Sequence, residues 1–425
     1  MNGLSKLPAG WRWSTVQDVG RLDLGRQRHP DWHTGPEMRP YLRVANVFED
    51  RIDTSDVKEM DFSGVFERYK LKPGDVLLNE GQSPEFLGRP AIYRGVPENV
   101  AFTNTLIRFR AGPEVTPEWA LIVFRRHMHA RRFVRESRIT TNIAHLSAAR
   151  LKTVEFPVPP LGEQGRIVAI VEDYLSRLGA ANRLVAISKK KAVALRRSAL
   201  DSVINRAGRS TILLRHLIDR IEAGKSFGGS SGPASADQWG IIKVSAMTWG
   251  EFRPGENKTV ADESVDPRYE IRPGDLLVSR ANTSDYVGAS VLVGDVRRRL
   301  LLSDKSLRLV PRSHVDPAWL WFALSSPRSR SQISAMATGT KESMRNISQA
   351  NLLAVEVPDI SIEEQRADAS SLFTHFDNLA RLNDALDSVN PKYAALRRSL
   401  LDAAYSGRLT GRASDEEMVE ELSGV

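Results

Sequence analysis

The 425-residue chain is 41% hydrophobic and 26% charged, the balance of an ordinary soluble globular protein of two or three domains. It has no Cys, which excludes structural disulfides, Cys-ligated zinc and thiol catalysis and fits a reducing cytoplasm. No apolar run reaches the roughly 18 residues of a membrane span, the start MNGLSKLPAGWRW lacks a signal-peptide core, and the net charge of +8 favours a polyanionic partner.

Along the first 157 residues, short apolar runs punctuated by Gly and Pro read as strands, among them YLRVANV at 41–47 and KPGDVLLNE at 72–80. A helix is expected after the PEW of 117–119, because Pro fits a first helical turn. The segment from Glu163 to Arg206 has no Pro, and its apolar residues alternate at spacings of four and three: Ile167, Val171, Tyr174, Leu178, Ala181, Val185, and later Ala192, Leu195 and Ala199. That is the heptad seam of a long helix with Leu178, Val185 and Leu195 on its packing face. Gly162 and Gly165 mark a weak point at its start.

The rest of the chain repeats this order. LKPGDVLL at 71–78 returns as IRPGDLLV at 271–278, Gly88 as Gly288, and VTPEWALIVF at 115–124 as VDPAWLWFAL at 315–324, each 200 positions later. VEFPVPPLGEQ returns as VEVPDISIEEQ and ALRRSALD as ALRRSLLD, now 201 positions later. The second seam, through Leu379, Leu386 and Leu396, keeps the register of the first. A unit of about 200 residues is duplicated, too long for a solenoid repeat. Neither helix can bury its stripe alone, so one packs on the other and the molecule acquires pseudo-two-fold symmetry. Pro391 predicts a kink or short break near residues 389–391. The expected fold class is α/β (α+β), with domain boundaries at 1–157, 158–207 for the first helix, 208–358, 359–410 for the second helix, and a polar tail at 411–425.

The candidate contact residues lie in loops whose flanks repeat while their middles diverge. GRQRH at 25–29 offers Arg26, Gln27 and Arg28, and GKS at 224–226 offers Lys225 and Ser226; Arg43 and Lys243 occupy matching places. NEGQSPEFLG at 79–88 and SRANTSDYVG at 279–288 offer Glu80, Gln82, Arg280 and Asn282 for base edges. Thr140, Thr141, Thr340, Lys341 and Arg345 are candidates for phosphate. The structural alternatives are solvated loops and, for Asn142 and Asn346, helix N-caps. Trp119 and Trp319 read as core. The KKK of 189–191 reads as a solvated helix face or as a lining of a DNA path. The eight His residues show no metal spacing, and there is no phosphate-loop signature or adenine-methyltransferase motif, so neither metal nor autonomous catalysis is expected.

LPAGWRWSTVQDVG, VEFPVPPLGEQGRIV leading into a long helix, ALRRSALD and ALRRSLLDAAYSGRLTG together resemble the specificity subunit of type I restriction–modification systems. The resemblance covers the chain from about Trp11 to Gly411. It implies a non-catalytic subunit with two target recognition domains, each reading half of a split site in double-stranded DNA, separated by two antiparallel helices that set the spacer. It also implies docking of two modification subunits, which bind S-adenosylmethionine and methylate adenine, and of a restriction subunit using ATP and Mg. PDISIEEQ in the second copy departs from the P-P-L-x-E-Q pattern. The competing reading is a scaffold protein with incidental, sequence-blind DNA binding.

Overall fold

The structure is a computed structural model that describes residues 6–49, 51–140, 143–227, 232–248, 250–261, 265–341 and 344–410. Thr141, Asn142 and the tail at 411–425 lie outside the described residues. The fold is mixed α/β, with short strands and two 44-residue helices, Leu161–Ile204 and Ile362–Tyr405. At 1.5 Å per residue each helix is about 66 Å long. The chain divides into two compact units, one of residues 1–185 with 388–425 and one of residues 186–387.

In the first unit a four-stranded antiparallel sheet runs in the order Gly20–Leu24, Leu106–Ala111, Val76–Asn79, Pro90–Ile92. Val76–Asn79 is buried at every position, which is why its first three residues, Val76, Leu77 and Leu78, are all apolar. A second sheet sets Met38–Leu42 between Lys58–Asp61 and Ala101–Phe102. Arg12–Thr15 pairs with Glu155–Val158 and closes the unit. YLRVANV is strand only as far as Leu42; Val44–Asn46 is a 3₁₀ turn. The buried Asn46 causes the change: its Oδ1 accepts from the Arg43 N–H at 3.0 Å, and its Nδ2 donates to the Asp53 and Asp56 carbonyls.

The helix Pro117–His129 follows the Pro-Glu-Trp as expected, capped by Thr116, whose Oγ1 accepts from the Trp119 N–H at 3.2 Å. Trp119 is fully buried and meets Trp11 edge-on at 5.7 Å. The core around it takes Ile167 and Val171 from the first long helix and Leu400, Leu401, Ala404 and Tyr405 from the end of the second. The two helical segments of this unit run antiparallel, because Thr410, just past the end of one, donates to Glu163 at the start of the other.

The second unit repeats the plan. Its four-stranded sheet runs Ile218–Ala223, Ser306–Pro311, Leu276–Ser279, Ser290–Leu292, and Gly240–Ile242 lies between Asn257–Thr259 and Leu300–Leu301. Trp319 is fully buried beneath the helix Pro317–Ser325. Leu200 and Ile204 of the first long helix share its core with Ala369 and Leu372 of the second. Arg209 bridges Asp368 at 2.6 Å and Lys189 bridges Asp387, so the helical segments of this unit also run antiparallel.

Two pairs of repeated glycines have steric causes. Gly74 and Gly274 of the Pro-Gly-Asp turns sit at φ +93° and +88°, a region that L side chains rarely adopt. The Asp that follows closes each turn, Asp75 accepting from the Lys72 N–H and Asp275 from the Arg272 N–H, both at 2.8 Å. Gly88 and Gly288 combine positive φ with close approach: a Cβ would stand 2.4 Å from Phe133 Cδ2 in one unit and 2.3 Å from Ile333 Cγ2 in the other.

The glutamine of each E-Q pair has a role that sequence reasoning did not assign. Gln164 is fully buried; its Oε1 accepts from the Thr116 N–H at 2.9 Å, and its Nε2 donates to the Glu114 and Pro159 carbonyls at 2.8 and 2.9 Å. Gln365 accepts from the Asp316 N–H at 2.8 Å and donates to the Ile360 carbonyl at 3.1 Å. Each pins the start of a long helix to the loop before the Pro-x-Trp helix. The departing sequence DISIEEQ makes up for its missing prolines with a capping box, Ser361 Oγ accepting from the Glu364 N–H and Glu364 accepting from the Ser361 N–H.

The helices also differ from expectation. The second runs through Pro391 with no break. Pro391 is exposed, so the Asp387 carbonyl that it leaves without a helical partner faces the solvent side. Gly162 and Gly165 likewise lie inside the first helix. Leu178, Val185, Leu379, Leu386 and Leu396 are half-buried, whereas Leu195 is 56% exposed and is not on a packed seam. Between the buried Ala192 and Leu200 the spacing lengthens to eight residues, which turns Leu195 away from the core.

Candidate nucleic-acid interface

The loops at 79–88 and 138–147 are built into one small sheet in the first unit. Gly81–Gln82 pairs with Ile143–His145, which pairs in turn with Arg138–Thr140. The chain leaves the main sheet at Glu80, whose N–H donates to the Thr105 carbonyl at 3.0 Å and whose carbonyl accepts from the Leu146 N–H at 2.8 Å. The second unit does the same. Arg280 donates to the Lys305 carbonyl and accepts from the Ile347 N–H, and Ala281–Asn282 pairs with Met344–Asn346, itself paired with Thr338–Lys341.

Glu80, Gln82 and Thr140 therefore share one platform, and Arg280, Asn282, Thr340, Lys341 and Arg345 share its counterpart. The scaffolds match and the chemistry does not. On the first platform, Glu80 lies 3.3 Å from His145 Nδ1, and Gln82 Oε1 accepts from the Ser83 N–H. On the second, Arg280 is exposed, and Asn282 Oδ1 accepts from the Thr283 N–H while its Nδ2 is buried without a partner. Glu80 brings a carboxylate to one platform where Arg280 brings a guanidinium to the other.

The structure divides the remaining candidates. Arg26 is built into its own unit, its guanidinium donating to the Asp61 carbonyl and lying 3.9 Å from the Trp32 ring centre. Arg43 is held by Asp56. Arg345 donates to the Ala337 and Gly339 carbonyls at 2.6 and 3.2 Å and staples its hairpin. Those internal bonds orient these three guanidinium groups. Gln27, Arg28, Lys225, Ser226 and Lys243 are exposed, with Lys225 Nζ 5.9 Å from the Phe227 ring centre. The expected N-cap is not at Asn346, which lies in a strand; Ser348 caps the helix Gln349–Leu353, and Ser147 caps Ala148–Lys152. Ser sits where the chain leaves the hairpin for the helix, and its Oγ reaches the N–H three residues on.

Two platform features were not read from the sequence. His145 sits opposite Gly81, where the added Cβ of a larger residue would stand 3.0 Å from the imidazole. Phe86 and Tyr286 are exposed aromatic rings at the same place in the two divergent loops. An aromatic residue repeated at a fixed offset between unlike neighbours was the available signal.

Lys189 pairs with Asp387, while Lys190 and Lys191 are exposed. Among the described residues no group of three or more His, Asp or Glu side chains has the arrangement to hold a metal ion, and no helix is long and apolar enough to cross a membrane.

Residues 35–187 match the family model described as the type I restriction modification DNA specificity domain. The specificity subunit of the type I restriction enzyme EcoEI of Escherichia coli is 31% identical over 193 residues, 45% of this chain and 32% of that protein. The chain thus spans about a third of the EcoEI subunit's length. The EcoKI specificity subunit of E. coli K12 is 23% identical over 439 residues, 97% of this chain and 93% of that one. A solved chain from work on complex assembly and conformational transition of the type I R-M system shares the fold, with a TM-score of 0.74 at 22% identity, over 95% of this chain and 100% of that one. Residues 35–187 are thus similar to the type I specificity domain, and the chain is similar to the EcoKI specificity subunit over almost its whole length.

Proposed function

We propose that this chain is a type I specificity subunit, the non-catalytic DNA-reading subunit of a cytoplasmic restriction–modification complex, in which each unit reads one half of a split site in double-stranded DNA. The observation that carries this reading is the pair of matched platforms with unmatched chemistry. A duplicated scaffold bearing Glu80 and Gln82 on one copy and Arg280 and Asn282 on the other is suited to two different base sequences.

The roles follow from the pattern of base edges in the major groove. Glu80 accepts from a cytosine amino group, Gln82 makes paired bonds to adenine, Arg280 donates to guanine, and Asn282 Oδ1 accepts from a base amino group. Gln27, Arg28, Lys225, Ser226 and Lys243, all exposed, hold phosphates and fix register. Thr140, Thr340 and Lys341 stand on the platform strands as further phosphate donors. Thr141 belongs to the same proposed set. Phe86 and Tyr286 offer rings against a sugar or an unstacked base.

The long helices act as the ruler for the spacer and dock two modification subunits, with a motor–nuclease subunit joining for restriction. The modification subunit supplies S-adenosylmethionine chemistry and the pocket for the flipped adenine; this chain chooses which adenine is presented. Removing seven residues from each long helix shortens it by about 10 Å, close to three base-pair steps of about 3.4 Å. The spacer between methylated half-sites should shrink accordingly while both halves stay the same. An unchanged spacer would refute the ruler.

A further inference from the structure

The repeated ALRRS motif puts an arginine at one place in each unit, and the two arginines have different surroundings. In the first unit Arg397 donates to Glu49 Oε1 at 2.6 Å, and His129 Nε2 is 2.7 Å from the same oxygen. Arg125 adds two bonds to the Glu49 carbonyl at 2.7 and 3.1 Å. Burial of Glu49 pushes its carboxyl up, but the His129 hydrogen bond and the Arg397 charge outweigh this and hold it below its ordinary value. A carboxylate of the same unit neutralises the cation.

Arg196 is the counterpart of Arg397, 201 positions earlier. Among the described residues of the second unit no carboxylate pairs with it. Its guanidinium lies 4.4 Å from the Phe376 ring centre, and Glu251, whose charge reaches it, is bound by Arg253 at 2.9 Å. Arg330, on the helix Pro327–Met336, donates one bond to the Asp285 main-chain carbonyl at 3.1 Å. Its other terminal nitrogen is buried without a partner, and burial lowers its pKa.

Both arginines line one groove of about 710 Å³ with Trp321, Phe322 and Phe376. The corresponding residues of the first unit are the smaller Leu121, Ile122 and Leu175. The groove that contains Glu49 there is about 270 Å³.

We propose that the groove of the second unit receives an acidic segment of a partner polypeptide, a Glu or Asp carboxylate bound by Arg196 and Arg330 with a neighbouring apolar side chain against Trp321 and Phe376. The first unit supplies the template, since the Glu49 carboxylate there binds Arg397, the counterpart of Arg196. A duplex backbone would satisfy the arginines and leave the aromatic floor wet. The proposal goes beyond the DNA-reading function and stands independently of it.

The test is fluorescence anisotropy of a fluorescein-labelled Leu-Glu-Phe-Glu-Leu peptide titrated with the full chain, alongside the same peptide with Gln for both Glu. The acidic peptide should bind saturably and at least tenfold more tightly than its Gln form. Arg196→Gln and Arg330→Gln should each weaken binding at least tenfold, and Glu49→Gln should leave it unchanged. Ser334 also lines the groove. Ser334→Glu should place a carboxylate inside and abolish peptide binding with Tm kept or raised, which separates occlusion from unfolding. Equal binding of both peptides, or no binding by the unsubstituted chain, would overturn the proposal. So would a duplex oligonucleotide that displaces the peptide and loses affinity with Ser334→Glu, an outcome that assigns the groove to nucleic acid.

Discussion

Replacing Gln164 by Ala removes three hydrogen bonds to main-chain groups at a fully buried position, with donor–acceptor distances of 2.8 to 2.9 Å. Each is worth about 1 kcal/mol net, and a buried Thr116 N–H left without a partner adds about 1 kcal/mol or more. The expected cost is about 3–4 kcal/mol, borne by the first unit. Gln365→Ala removes two bonds, one of them longer at 3.1 Å, and should cost the second unit about 2–3 kcal/mol. The duplication supplies its own control, because each substitution should act in one unit and spare the other. Amide hydrogen exchange of the intact chain reads both at once. Protection of the helix Pro117–His129 should fall by roughly two to three powers of ten with Gln164→Ala, at about 1.4 kcal/mol per tenfold, while the helix Pro317–Ser325 is unaffected. A cost below 1 kcal/mol, or an equal or larger loss from Gln365→Ala, would refute the pinning role.

Three further outcomes follow. His127 is fully buried; its Nε2–H donates to the Glu155 carbonyl at 3.0 Å while Nδ1 has no partner, and burial pushes its pKa from 6.5 to about 4. The unfolded chain then binds the proton more readily, so this stabilisation is complete above about pH 6.5 and is lost as pH falls towards 4, about 3 kcal/mol in all. Denaturant titrations of His127→Gln should lack that component of the pH slope, and an unaltered slope would count against it. Gly88→Ala and Gly288→Ala should each cost about 2–4 kcal/mol by clash and positive φ, whereas Gly64→Ala, at φ +70° with open space around it, should cost about 1 kcal/mol in the same thermal melts. Gln82→Ala should relax base preference in one half-site only and Asn282→Ala in the other, read from the methylated motif; loss of preference in both halves from either change would contradict one reader per unit.

The duplication, the long helices, the Pro-x-Trp helices and the buried Trp119 and Trp319 were legible because each is a local pattern repeated at a fixed offset. The platforms were legible only in pieces. Glu80 and Leu146 are neighbours through a hydrogen bond across 66 positions, and no spacing rule within either loop announces that pairing. The same limit separates Arg26 from Arg28. Both are basic residues in one loop, but only the fold brings Trp32 and the Asp61 carbonyl around the first. The charge of Arg345 is visible in the sequence, and the carbonyls it staples are not. Leu195 misled for a related reason: a heptad template continues past the point at which the helix changes the surface it packs against. Pro391 counts as a breaker by local chemistry and is tolerated at an exposed position.

The central claim is that one chain reads two half-sites at a fixed separation. The most direct measurement is methylation-aware long-read sequencing of a methylation-free host that expresses this chain with a type I modification subunit. The account predicts methyladenine confined to a single split motif with a constant spacer. A soluble complex of the two proteins that leaves the genome unmethylated, or methylation at an undivided motif, would contradict it.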